Sequence, residues 1–351
     1  MELQFTIEKI GVNSEKKGIF ACYLVSFIMV CLIGTLNGGN AVVAPIIVPI
    51  VAAVGLTPTT VCFLMFNAGL VGVTVGPFCT AVASALAVTG LDYKSYMVNA
   101  AIPYSLAWAI VSLIISFYLQ KKTKNSGEKY ENVELVQNFI PTTKQKYASI
   151  AFLTTFMVCL AFGLIYGSTM KYVMFVILCL SAVTGLFVDE PYEKVIGKFG
   201  KGMGKMGGMF FSFLLTGVMI DTITMGGGWQ ALSKLILHLI GTNSKFILMT
   251  IASFVGGFGV EGAVVTQMQI IQSAFWKIAE NMGIPMGTWA IVLIAAVRIT
   301  SIVYPSANYA AHMGFAQCDN MKTLLVGGWI TSAIMMVFVP LWGIISMNIL
   351  H

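Results

Sequence analysis

Arg298 lies in a long apolar stretch, Thr288 to Met313, that holds no other Lys, Arg, Asp or Glu. A charged side chain inside a bilayer is costly, and it persists where it meets a partner, a cavity or a ligand. The guanidinium is a planar fork that grips a carboxylate through two parallel hydrogen bonds. Arg298 is therefore the first candidate for holding an anionic substrate. Two acids stand in other apolar stretches: Glu261, within Gly256-Gly-Phe-Gly-Val-Glu-Gly262, and Asp221, upstream of Gly226-Gly-Gly228. Either can bind a cation, carry a proton, or neutralise Arg298 as a structural pair with no role in substrate binding. His312 reads as a packed residue or one at the cytoplasmic edge rather than as a proton relay.

Neutral donors and oxygens gather at four interruptions of the apolar pattern. The first holds Asn37, Gly38, Gly39 and Asn40, and the second Pro77, Cys79 and Thr80. The third holds Gly257, Gly259, Glu261 and Gly262, and the fourth Pro305, Ser306 and Asn308. A helix interrupted there loses backbone partners. Facing a cavity, helix N-termini attract anions, and free carbonyls hold cations such as Na⁺. The expected substrate-binding set is Asn37, Asn40, Thr80, Glu261, Arg298, Ser306 and Asn308. The expected cation-binding set is Gly38, Gly39, Pro77, Cys79, Gly257, Gly259 and Pro305, for Na⁺ as coupling ion and no other metal or cofactor. The competing reading is that these glycines and prolines only kink packed helices.

The elements that must position these residues follow from composition. Hydrophobic residues make up 58% of the chain and charged residues 10%, too little charge to cover a soluble surface. Stretches such as Ala148 to Tyr166 and Thr323 to Met347 are long enough to cross a hydrocarbon core as helices. The alternating pattern of a transmembrane β-barrel is absent. The expected fold is an all-α membrane protein of two inverted repeats with re-entrant hairpins and discontinuous helices. A polar segment 1–17 comes first. The first repeat covers 18–119, with a hairpin at 18–54, a broken helix at 60–90 and a helix at 97–119. A loop at 120–147 and scaffold and arm helices at 148–241 follow. The second repeat has its hairpin at 245–282, its broken helix at 286–315 and its last helix at 323–347.

Internal similarity supports the repeat. Gly34–Val43 pairs with Gly256–Val265, which shares Ala-Val-Val; Gly55-Leu-Thr-Pro pairs with Gly283-Ile-Pro; Pro77–Thr80 pairs with Pro305–Asn308. With the Lys-rich loop Lys121–Lys146 and the stretch Lys194–Lys205 placed in the cytoplasm, the two repeats come out inverted and the N-terminus is cytoplasmic. Inverted repeats with broken helices are the layout of alternating-access transporters.

The first repeat resembles the conserved unit of the large membrane subunit of tripartite ATP-independent periplasmic (TRAP) transporters, within the wider ion transporter superfamily. The likeness runs through Ala44-Pro45-Ile-Ile-Val-Pro49, Gly55-Leu-Thr-Pro58, Asn67 to Pro77, Gly90-Leu-Asp-Tyr-Lys and Ala101-Ile-Pro-Tyr. The second repeat shares the layout, lacks the Pro-x-x-x-Pro, and carries Glu261 and Arg298 instead. The resemblance implies coupled uptake of carboxylates in a bacterial cytoplasmic membrane. It also implies a homodimer or a partner membrane subunit, and in the TRAP case a periplasmic binding protein. No counterpart of the scaffold at 148–241 precedes the first repeat, so the expectation is a fragment, a partner chain that supplies those helices, or a dimer that tolerates their loss. Nucleic acid is not an expected partner, because the lysines fall in loops. An enzyme is not expected either: no nucleophile motif and no His/Asp/Glu cluster occurs. The seven cysteines are scattered without Cys-x-x-Cys, and the 21 methionines follow no ligand spacing.

Overall fold

The computed structural model of the protein describes residues 14–130, 142–166, 170–187, 244–259 and 264–349, with isolated positions between 191 and 235. Among them every regular element is a helix. In chain order these are α1 (Glu15–Ile33), α2 (Leu36–Ala53), α3 (Pro58–Val75), α4 (Thr80–Thr89) and α5 (Tyr93–Thr123). Then come α6 (Thr143–Tyr166), α7 (Met170–Gly185), α8 (Lys245–Phe254), α9 (Val264–Asn281), α10 (Met286–Val303), α11 (Ala307–Ala316) and α12 (Met321–Ile349). Among the described residues six helices are long and apolar enough to cross a membrane: α1, α2, α3, α5, α10 and α12.

The repeat is visible in the helix starts. Leu36, Pro58, Thr80 and Tyr93 open α2 to α5, and Val264, Met286, Ala307 and Met321 open α9 to α12. The offset between paired starts is constant to within one residue. That offset corrects the alignment of Gly34–Val43 with Gly256–Val265. Ala41-Val-Val lies in the second turn of α2, whereas Val264 and Val265 open α9. The shared triplet is a coincidence of composition, and Gly34 has its counterpart near residue 262, outside the described residues.

Polar bonds between helix ends show that the repeats run in opposite directions. Glu128, beyond the end of α5, accepts from Thr59 at the start of α3 (N at 3.2 Å, Oγ1 at 2.7 Å) and from Asn320 just before α12 (3.0 Å). Lys124 pairs with Glu15 at the base of the first hairpin. At the other end Trp342, late in α12, donates to the Asn99 carbonyl near the start of α5 (2.9 Å). There Gly287, at the start of α10, lies so close to Asn99 that a Cβ would be 2.8 Å from its Nδ2. So α3 begins where α11 ends, and α10 begins where α5 begins.

Each broken helix is interrupted for a local reason. Gly76 N closes α3 on Gly72 O (2.8 Å), Pro77 has no N–H to continue it, and α4 restarts after Cys79. Tyr304 takes extended dihedrals ahead of Pro305, and the Ser306 side chain then caps α11 by accepting from Tyr309 N (3.3 Å). These two helices are the centre of the molecule: α3 is buried from Pro58 to Thr74, and α10 from Gly287 to Ile299. By contrast α5 buries one face, with Leu106, Ile110 and Ile114 exposed on the other. In water such a face is a liability; in lipid it is matched.

The first hairpin stops partway. Its turn is Gly34-Thr35, with Gly34 in the left-handed region (φ 80°) against the Phe78 carbonyl of the α3–α4 break. The tip is therefore two residues earlier than the Asn37–Asn40 run, which instead forms the first turns of α2.

Candidate functional site

The broken helices cross near their C-terminal ends, and Arg298 is the residue at the crossing. It is buried (4% exposed). Its Nε donates to Thr74 Oγ1 (2.8 Å) and its Nη2 to the Val73 carbonyl (3.3 Å), both on α3. Among the described residues no carboxylate pairs with it. Asp221 is exposed, and Glu261 and Gly262 lie outside the described residues. A small cavity, too tight for a water molecule in this conformation, lies beside the guanidinium, lined by Leu70, Val71, Thr74, Tyr104, Ser105, Trp108 and Arg298. Tyr104 Oη and Ser105 Oγ are buried there without a hydrogen-bond partner. An unpaired buried hydroxyl costs about 1–3 kcal/mol, so a ligand that supplies acceptor oxygens is favoured. Arg298 is the thirteenth residue of α10 and Leu70 the thirteenth of α3. The local two-fold thus passes near this cavity, and charge enters from one repeat only.

Tyr104 and Ser105 were not among the expected site residues, although the sequence carried a signal for Tyr104. Tyr104, Trp108, Ser112, Ser116 and Gln120 recur every fourth residue on one face of an otherwise apolar helix, and all are buried. Trp108 Nε1 is held by Asn67 Oδ1 (3.0 Å), whose amide in turn donates to Phe63 O (2.8 Å). This chain of bonds fixes the cavity wall.

A second polar group joins the first hairpin to α11. Asn37 Nδ2 donates to Asn308 Oδ1 (2.9 Å), and Asn40 Nδ2 meets both the Met65 carbonyl (2.9 Å) and His312 Nε2 (2.8 Å). His312 Nδ1 faces the Asn308 carbonyl (2.7 Å). The Oδ1 atoms of Asn37 and Asn40 are buried without partners. Asn37, Asn40, Asn308 and Ser306, from the expected substrate set, thus gather at one place. Thr80 is exposed at the start of α4 and Pro305 is exposed at the second break.

Of the residues expected to hold a cation, Gly257 has its carbonyl engaged by a side chain, as do several neighbours of the expected positions. Just before the first break, Val73 O takes Arg298, Thr74 O takes Tyr96 Oη (3.0 Å) and Val75 O takes Tyr93 Oη (2.6 Å). Cys79 Sγ turns to Gly72 O (3.7 Å), and Pro77 is buried. After α8 a π-helical turn, Val255–Gly259, frees carbonyls, but Gln267 Nε2 takes Gly256 O (2.6 Å) and Thr300 Oγ1 takes Gly257 O (3.0 Å). The glycines also allow close packing: a Cβ on Gly39 would be 2.6 Å from Val30 Cα, one on Gly257 2.5 Å from Ile299, and one on Gly38 would strike Thr35 Oγ1.

The sequence matches the family described as C4-dicarboxylate anaerobic carrier (DcuC) over residues 16–348. The chain belongs to the DcuC family. No curated protein sequence matches it. As a DcuC-family chain it is a dicarboxylate transporter and not an enzyme. The expectation of a carboxylate carrier stands at that level. The family match carries no particular closeness to TRAP subunits, whose likeness rests on the first-repeat motif.

Proposed function

We infer that this chain moves C4-dicarboxylates across a cytoplasmic membrane by alternating access, driven by a Na⁺ or H⁺ gradient, with one substrate carboxylate held by Arg298. The Lys121–Lys124 end faces the cytoplasm, as the positive-inside rule asks. The observation that carries the reading is the buried guanidinium, which no carboxylate among the described residues pairs, beside a small cavity also lined by Tyr104 and Ser105, whose hydroxyls have no partner. A carboxylate there takes the free guanidinium donors and both hydroxyls, and its charge removes the cost of a lone buried cation. The amides of Asn37 and Asn308 and the hydroxyl of Ser306 remain for the other end of the substrate.

Counterflow of labelled succinate in proteoliposomes tests this. Arg298→Gln is expected to lose exchange by about 100-fold and Arg298→Lys by about tenfold, since ammonium cannot replace the fork. Tyr104→Phe with Ser105→Ala separates binding from structure. Those hydroxyls have no partner to lose, so the thermal midpoint in detergent should hold while the apparent KM rises about tenfold. If Arg298→Gln exchanges within twofold of wild type, or if the hydroxyl variants change neither KM nor rate, Arg298 is a structural cap of α3 and the reading fails.

A further inference from the structure

His312 joins three elements without touching the Arg298 cavity. It lies on α11, is completely buried, and has both ring nitrogens engaged. The partners assign its proton. Asn308 O accepts only, so Nδ1 carries the hydrogen. The Asn40 amide is held by the Met65 carbonyl, which also only accepts, so Nδ2 points at the pair and Nε2 receives it. The arrangement therefore fits the neutral imidazole alone. A second proton on Nε2 would face an N–H. To accept it, the Asn40 amide must turn and offer Oδ1, the atom now buried without a partner, and the bond to Met65 on α3 is then lost. Protonation of His312 and the Asn40–Met65 bond that ties the first hairpin to α3 are mutually exclusive in this geometry.

The surroundings leave His312 as the one titrating group of the latch. From α2 it meets Asn40, and from α3 the Met65 carbonyl and the edge of the Phe66 ring (4.9 Å between centroids). On its own helix it meets the Asn308 carbonyl and Phe315, while Tyr309 stacks on Phe66 and gives its hydroxyl to Ile302 O. Among the described residues no charged side chain is in contact with it.

We propose that His312 is the proton-coupling residue of this carrier: it takes up a proton when the first hairpin leaves α3 and α11, and gives it up when the Asn40 latch closes. This rests on the carrier reading above and chooses the proton as its coupling ion. By linkage, whatever opens the latch binds a proton and whatever binds a proton opens it.

Proteoliposomes loaded with a trapped pH dye test it, with labelled succinate outside. Wild type is expected to accumulate succinate about tenfold more for each unit of inwardly directed pH gradient, with one proton entering per turnover. His312→Gln keeps a side chain of similar reach and cannot titrate. It is expected to lose the response to the gradient and the dye signal. Wild-type exchange that is blind to pH overturns the proposal while leaving the carrier reading intact, as does a His312→Gln variant that still follows the gradient. A wild type with no exchange at all overturns both. If His312→Gln is folded but exchanges nothing, Asn40→Ala decides. It removes the opposing N–H and keeps the imidazole, so the pH midpoint of uptake should rise by half a unit or more, and an unmoved midpoint overturns the proposal.

Discussion

In the first repeat Val30 of α1 is received by three glycines, Gly39 on α2 and Gly69 and Gly72 on α3. In the second repeat the glycines are on the arriving arm: Gly256 lies against Ala296 and Gly257 against Ile299, both on α10. Two of the three positions that were glycine in the first repeat now carry hydrogen-bonding side chains, while Gly69 corresponds to Val297. Gly39 is the fourth residue of α2 and Gln267 the fourth of α9; Gly72 is the fifteenth of α3 and Thr300 the fifteenth of α10. Gln267 and Thr300 satisfy the carbonyls that the π-turn frees. Both hairpins are thus seated by close glycine contacts, and the second adds hydrogen bonds from Gln267 and Thr300. Steric fit fails abruptly when an atom is added, whereas a lost hydrogen bond is softened wherever water or another donor can reach the carbonyl.

The largest effect expected from that difference is at Gly39. In Gly39→Ala the new Cβ meets Val30 Cα at 2.6 Å and Val30 N at 2.9 Å, both backbone. The hairpin arms must separate, at about 3 kcal/mol. Trimming the side chain in Val30→Ala should not rescue it, because the clashing backbone remains. Gly69→Ala is the internal control. Its Cβ would meet the side chains of Leu36 and Asn40, which can move, so its unfolding midpoint in detergent should fall by less than half as much. Equal losses would mean that the side chains around Gly69 yield no more than the Val30 backbone does.

Gln267→Met comes next. It leaves Gly256 O to Thr300 at 3.3 Å alone, and an unpaired buried carbonyl costs about 2 kcal/mol. Hydrogen exchange at α8 and the π-turn should quicken while α1 and α2 stay protected. Thr74→Val is smaller, about 1 kcal/mol, because Arg298 keeps the Val73 carbonyl. A drop as large as that of Gly39→Ala would show that the Arg298–Thr74 bond, and not the glycine seat, holds the repeats together.

Much of this was legible in the sequence, and the reasons are local. Pro77 and Pro305 announce the two breaks because proline cannot continue a helix. Arg298 declares itself because charge is rare in apolar stretches. The register of the first hairpin was not legible: Gly38, Gly39 and Asn40 look like a loop, yet the left-handed residue is Gly34 and the asparagines lie in the helix that follows. Nor could composition tell that the carbonyls near Pro77 and Gly257 are already satisfied, since Tyr93, Tyr96, Gln267 and Thr300 reach them from other helices. Tyr104 was readable as part of a stripe that recurs every fourth residue, to which Ser105 does not belong. What they line depends on how α3 crosses α10, which no single segment encodes.

The smallest expected effect separates the repeats by chemistry alone. Asp92 caps the start of α5, accepting from Lys94 N (3.1 Å) and Ser95 N (3.3 Å), and Asn320 caps α12 by accepting from Thr323 N (3.1 Å). The bonds from Ser95, then those from the backbone, hold the Asp92 carboxyl below its usual value of 3.8. A carboxyl lowered by folding contributes stability above its unfolded pKa and loses it as pH falls through the folded one. The first repeat should therefore carry a small acid sensitivity at this helix start that the second lacks. Asp92→Asn preserves the cap, costs under about 0.5 kcal/mol near neutrality, and should flatten the thermal midpoint between about pH 5 and pH 3. The reciprocal change is not equivalent. Asn320 also donates to Glu128 Oε1, so Asn320→Asp places two carboxylates together and should destabilise that end at neutral pH, with recovery on acidification. Opposite pH slopes from two exchanges at matching positions would show that the repeats share a frame and differ in what each cap must also hold.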